Sequence, residues 1–531
     1  MRNKKLQVWL PLLFSLVLIT GMYFGYRMNG SGSKDNFFST GSRSSLQQAI
    51  DVIRRHYVDS VRVDTLQANA IETLMEQLDP HSVYLPPVEL KAANEDLAGN
   101  FEGIGVEFNV FRDTVNIVYV IPGGPSEKAG LRIGDKIIAV NGQSLTGKDY
   151  SSDDIRNRIR GRRGSTAELR IARGNQLQNV PVTRGTIPVS AIDASYMIDP
   201  ATGYIRVNRF TETSYEEFMR SLEELQQKGM KALVLDLRGN GGGFMNEAVE
   251  MADEFLDGDK IVVYTEGMHT KKREYRCRRN GLFETGKLVV LIDELSASAS
   301  EVLAGALQDW DRATIIGRRS FGKGLVQEQY ELRDGGAIRL TVARYYTPLG
   351  RSIQRPYEKG KKVYIDELWN RYSSGELLYA DSNKVSNGKI YKTKSGKTVY
   401  GGGGIMPHIF IPIDTTHYTP AINQLLVDGG FNGFVYEYYL RKRAEIDRYR
   451  TVDDFIAGFV RTEEMWAQLV NQVSKDSIDL KPVMGKEKES LKLRLKALLA
   501  RFRWRTQGFY QVLNSEDAAI RSALEQVRSG K

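Results

Sequence analysis

The spacing of apolar residues divides this chain of 531 residues into stretches of different period. Residues 6–26 carry no charge and are apolar enough, over about twenty positions, to cross a bilayer as one helix. Over 44–97, Leu46, Ile50, Ile53, Leu66, Ile71 and Leu74 recur at helical spacing, broken at Asp79-Pro80 and Pro86-Pro87. Residues 99–173 read as short strands, glycine turns and one basic helix near 154–160. Over 187–354, the apolar runs 204–207, 232–237, 288–292 and 313–316 alternate with helical patterns at 214–227, 246–256 and 300–308. That alternation predicts an α/β layer with buried parallel strands. Residues 355–404 are polar and Gly-rich and read as an insertion or long loop. In the last hundred residues Leu491, Leu495, Leu498, Leu499 and Phe502 form one stripe, with Lys492, Arg494, Lys496, Arg501 and Arg503 off it as a solvated basic face.

This length predicts several folded units, here bounded as a membrane segment (1–26), a linker (27–43), a helical region (44–97), a β-module (98–180), an α/β core (185–412) and a helical domain (413–531). Arg2, Lys4 and Lys5 precede the apolar run, and no small-x-small cleavage site closes it. The expectation is an uncleaved anchor in the inner membrane, with the folded part in the periplasm or cell exterior. Composition, at 41% hydrophobic and 26% charged, excludes disorder and a polytopic membrane protein. The net charge of +9 is interspersed with acidic residues, which argues against nucleic acid. The single cysteine, Cys277, allows no internal disulfide and sits in no metal-ligand cluster, so no metal is expected.

Candidate chemistry collects at the ends of the apolar runs. The strand 288–292 leads through Asp293-Glu294-Leu295-Ser296-Ala297-Ser298-Ala299-Ser300-Glu301 into a helix. Ser298 therefore lies where a helix N-terminus offers free N–H groups to an oxyanion, although serine followed by glutamate is also a helix cap. A serine nucleophile needs a base. The five histidines, His56, His81, His269, His408 and His417, give weak support for a triad. Gly322-Lys323-Gly324 follows the strand 313–316 instead, where burial favours a neutral amine, and Gln327 is spaced to orient it. The run 233–237 ends in Arg238-Gly239-Asn240-Gly241-Gly242-Gly243, a loop able to donate backbone N–H groups and lacking the Gly-Lys-Ser/Thr of a phosphate loop.

In the β-module, Gly103-Ile104-Gly105-Val106 starts a strand as a backbone nest for an anion, followed by Pro125-Ser126-Glu127-Lys128-Ala129-Gly130-Leu131 and the strand 136–140 with its Asn141-Gly142 turn. That ordered set resembles a PDZ domain. Together with Ser-Ala-Ser-Ala-Ser-Glu, Ser-Phe-Gly-Lys-Gly-x-x-Gln and the segment 343–354, it resembles the C-terminal processing peptidases, or tail-specific proteases, over about 44–412. The resemblance implies a crotonase-like β-β-α protease core with an inserted PDZ-like module, flanked by N- and C-terminal helical regions. It also implies serine endopeptidase activity on protein tails with apolar C-termini, with Ser298 as nucleophile and Lys323 as base, supported by Gln327. Ala299, Gly241 and Gly242 would form the oxyanion hole, and Gly103, Ile104, Gly105 and Val106 the peptide-carboxylate loop. Asp309 stands where some members carry an acidic third residue, yet a carboxylate beside the lysine would hold it protonated, and closing the helix is the simpler role. No cofactor is implied. A homo-oligomer or an activating adaptor is an open partner, and a non-catalytic PDZ scaffold of the envelope is the alternative reading.

Overall fold

The computed structural model describes residues 9, 11, 14–23, 44–111, 113–146, 150–380, 388–415, 420–427, 429–476 and 478–529. Of the expected membrane segment, the described residues are helical and the remainder lies outside them; among the described residues no helix is long and apolar enough to cross a membrane. The linker 27–43 also lies outside them. The chain divides into two units, Met1–Thr73 and Leu74–Lys531. In the first, Ser44 caps the helix Ser45–His56, its side chain accepting from Gln47 N.

The second unit is organised by a six-stranded sheet in the order Ile192–Asp199, Thr202–Val207, Ala232–Asp236, Lys287–Ile292, Thr314–Gly317 and Ile409–Phe410, parallel from its second strand onward. Its central strands are unbroken apolar runs because both faces are covered. Leu233, Leu235, Leu288, Val290 and Ile292 pack on a core with the helices Ser214–Gln227, Met245–Asp253 and Ala299–Asp309. The alternate residues Val234, Val289 and Leu291 meet Ala519, Ile520 and Ala523 of the helix Ala518–Arg528. The six-stranded sheet is thus covered on its second face by the helix Ala518–Arg528.

The β-module is a five-strand path, Val106–Phe111, Thr114–Val120, Lys136–Val140, Thr166–Arg173 and Gln176–Thr183, around Ile104, Val115, Ile117, Ile137, Leu169 and Ile171. Its first strand is an edge. The helix Ser152–Ile159 carries a capping box, Ser151 with Asp154.

Two expectations need correction. Residues 355–404 are not a featureless loop but hold the helix Lys361–Ser373 and the hairpin Ile390–Lys392 with Thr398–Tyr400. The helix has no apolar stripe on its inner face: Arg371 is buried along with Tyr364, while Trp369, Ile365 and Val363 are exposed. The basic face of the last long helix, Gly485–Asn514, is not simply solvated either. Lys492 is buried and bonds Glu463 and Glu489, and Lys496 Nζ donates to the Ile456 carbonyl.

Candidate active site

Three adjacent parallel strands end at one place, and each hands over one part of the site. The strand Ala232–Asp236 leads into the glycine loop, Lys287–Ile292 into the serine turn, and Thr314–Gly317 into the lysine loop. In open α/β sheets the carboxyl ends of the strands are where ligands bind.

Ser298 precedes the helix Ala299–Asp309 at φ 56° and ψ −115°, a backbone region that costs a non-glycine residue about 1–3 kcal/mol. The surroundings hold it there. Its N–H donates to Glu301 Oε2 at 2.9 Å, and its carbonyl lies 3.1 Å from Tyr345 Oη. The flanking serines serve the turn: Ser296 Oγ donates to the Leu237 carbonyl and Ser300 Oγ to the Asn240 carbonyl, each at 2.9 Å, and both residues are buried. Of the three serines only the middle one is partly open to solvent.

The lysine loop is tied to the same turn. Glu301 Oε2 accepts also from Lys323 N at 2.8 Å, and Oε1 accepts from Gly322 N at 2.7 Å and from Ser320 Oγ. Tyr345 Oη bridges to the Lys323 carbonyl as well, and Phe321 N donates to the Ser296 carbonyl at 3.0 Å. Burial pushes the Glu301 carboxyl up to about 7 despite its donors. The cap seen in the sequence is real, and the same carboxylate also fastens the lysine loop, a role that needs the fold to be seen.

Lys323 Nζ donates to Gln327 Oε1 at 2.9 Å, and Gln327 Nε2 donates to the His81 carbonyl. Among the hydrogen bonds of the described residues none joins Nζ to Ser298 Oγ. Burial, and then the charge of Arg339, lower the Lys323 pKa from the ordinary lysine range, against the opposing pull of Glu301 and Asp79. His81, which the sequence reading set aside in a helical region, stands beside this amine. Burial and then Lys323 push its imidazole down to about 4, and its Nε2 lies 2.8 Å from Tyr364 Oη. The signal was the Asp79-Pro80 break: Asp79 Oδ1 accepts from His81 N and Ser82 N, turning the chain toward the lysine.

Of the two expected donors on the glycine loop, Gly242 packs directly on the serine, since a Cβ there would stand 2.7 Å from Ser298 Cβ. Its N–H, however, donates to Asn240 Oδ1 at 2.9 Å. The N–H groups of Gly241 and Ala299 make no hydrogen bond among the described residues. Asp309 needs correction as a catalytic candidate. It ends the helix that Ser298 begins, about 16 Å away at 1.5 Å per residue. There its carboxylate accepts from Leu349 N at 3.0 Å and pairs with fully buried Arg351 at 2.5 Å. The segment 343–354 is accordingly scaffolding: Arg351 binds Asp309, and Gln354 Oε1 accepts from Gly324 N at 2.8 Å behind the lysine.

In the β-module Ile104 is buried, Gly105 takes φ 78°, and neither spends its N–H on a described residue, while Gly103 pairs with Gly185 and Val106 with Val120. Two adjacent backbone N–H groups are thereby left without a hydrogen bond among the described residues at the start of the edge strand.

Residues 201–360 match the model of "Peptidase family S41", residues 117–173 that of "PDZ domain", and residues 421–505 a family of unknown function. The chain is 32% identical over 387 residues to the "Carboxy-terminal processing protease CtpA" of Bacillus subtilis, covering 72% of this chain and 81% of that protein. It is 30% identical over 449 residues to a "Probable CtpA-like serine protease" of Staphylococcus aureus, covering 80% of this chain and 86% of that one. Among solved structures, a photosystem II D1 C-terminal processing protease is 30% identical, at TM-score 0.33, over 58% of this chain and 88% of its own. The chain belongs to peptidase family S41 and is a serine-type peptidase of the carboxy-terminal processing kind, with a PDZ domain.

Proposed function

We propose that this peptidase cleaves proteins at or near their C-terminal tails with a Ser298–Lys323 dyad, the tail being held by the PDZ domain. The observation that carries the reading is the part-buried lysine, its pKa lowered by that burial, fastened through Glu301 to the turn that bears a partly open serine. A neutral Lys323 amine accepts the Ser298 hydroxyl proton as Oγ attacks the scissile carbonyl. The lysine stem has the rotatable bonds to bring Nζ from Gln327 to Oγ, and Gln327 is the support it leaves and returns to. The N–H groups of Gly241 and Ala299 are the free donors for the oxyanion, and Gly242 would join them only if Asn240 released it. The protonated lysine then gives its proton to the departing amine, and water repeats the sequence on the acyl-enzyme.

Tail engagement is supported by the Ile104–Gly105 nest and the unpaired edge of Val106–Phe111, where an extended peptide can add a strand. The charge-free run 6–26 behind Arg2, Lys4 and Lys5 supports an anchored protein working outside the cytoplasm. The test is cleavage of a peptide with an apolar C-terminus: Ser298→Ala and Lys323→Ala should each lower kcat/KM by at least ~10³-fold with unchanged circular dichroism. Undiminished turnover in either purified variant would remove the dyad.

A further inference from the structure

The C-terminal helical domain, whose residues 421–505 match a family of unknown function, also stands against the PDZ edge strand. Tyr436 Oη donates to the Ile117 carbonyl at 3.0 Å, and the Tyr436 ring packs on Phe111 with centroids 5.5 Å apart. The helix Gly485–Asn514 breaks at Trp504 and Arg505, the latter at φ 60°, and the break sets the Arg505 guanidinium 3.4 Å over the Tyr119 ring. Between the two domains runs a cavity of about 460 Å³, walled on the PDZ side by Val106, Phe108 and the helix residue Arg156, and on the other by Leu498, Arg501 and Arg505.

Two independent features of this cavity point to the same occupant. One is the strand Val106–Phe111, the open edge of its sheet, which begins at the nest for a terminal carboxylate. The other is charge. The lining holds four arginines, of which Arg156 pairs with Asp153 and Arg160 with Glu95 at 3.0 Å, so that Arg501 and Arg505 are left to share the one carboxylate of the lining, Glu107. That carboxylate lies within ion-pairing distance of both Arg505 and Arg501, the latter at 3.5 Å, and shows where a carboxylate sits when it meets them.

We propose that the C-terminal helical domain forms the outer wall of the peptide groove, and that Arg501 and Arg505 select tails carrying acidic residues just upstream of the apolar C-terminus. This rests on the reading that the PDZ domain holds the tail. Glu107 is then the internal competitor: a ligand carboxylate displaces it from the two guanidinium groups, or shares them. Both arginines are part-exposed, so the selectivity is screened by salt.

The test is fluorescence anisotropy on the full chain carrying Ser298→Ala, with labelled short peptides that share an apolar C-terminus and carry Asp, Ser or Lys upstream of it. The acidic peptide should bind ~5-fold or more tightly than the basic one, as a half-exposed charge contact allows. Arg501→Glu, at an exposed position, should erase or invert that ratio with an unchanged melting temperature, and Glu107→Gln should tighten the acidic peptide. Equal affinities for the three peptides, an equal weakening of all three by Arg501→Glu, or no binding of any would overturn the proposal. Cleavage by the unmodified chain is read separately. A charge ratio without cleavage counts against the dyad alone, and cleavage without a charge ratio counts against the arginine wall alone.

Discussion

The serine turn and the PDZ edge strand are built in opposite ways. At the turn nearly every polar group is spent: Glu301 takes four donors, the outer serines are buried, and Tyr345 bridges two carbonyls, so one serine is left in a single strained conformation. At the groove a strand edge is left unpaired and the charges are half exposed. The difference teaches what each must do. A reaction centre needs atoms fixed to a fraction of an ångström, whereas an open strand edge can accept many side chains along one added backbone.

Substitution should expose that contrast. Asp309→Ala leaves the fully buried Arg351 with the Tyr400 carbonyl and Gln308 Oε1 but without its paired carboxylate, and should lower stability by about 3–5 kcal/mol in denaturant unfolding. The pH dependence of kcat/KM should stay where it was; a shifted basic limb would return Asp309 to the lysine. Glu301→Gln turns an amide toward the Ser298 and Lys323 N–H donors and should lower stability by about 2–4 kcal/mol and kcat by roughly 10- to 100-fold. It should also flatten a pH effect. The folded carboxyl titrates near 7 and the free one near 4.5, so the native state binds the extra proton between them, and stability falls as pH rises through that window. A wild-type melting temperature that rose from pH 5 to pH 7 as Glu301 titrates would contradict this. In the groove, Arg156→Ala should change little: peptide Kd by less than about 5-fold, the effect vanishing in high salt, because this guanidinium is exposed. A loss as large as that at Glu301 would mean the groove is as tightly built as the turn.

Legibility followed the same divide. The helix 214–227 and the four core strands were visible because a strand buried on both faces must be an unbroken apolar run. The helix Lys361–Ser373 was not, since its buried face pairs Tyr364 with an arginine that binds Glu376, while Val363, Ile365 and Trp369 are exposed. The triplet of serines could be ranked only by resemblance, because each is a plausible cap until the glycine loop shows which two it binds.

The sequence by itself determined the parts: the core strands, the glycine loop, the serine turn, the lysine between glycines and the short strands and turns of the β-module, all set by local periodicity and backbone preference. Only the tertiary structure decided the joints. Glu301 reaching the lysine loop, His81 reaching Gln327, Arg351 taking Asp309, and Arg505 reaching Glu107 join residues far apart in the chain or on separate elements. Such contacts leave no period behind, because a buried charge or a free carbonyl is satisfied by whatever the fold brings to it.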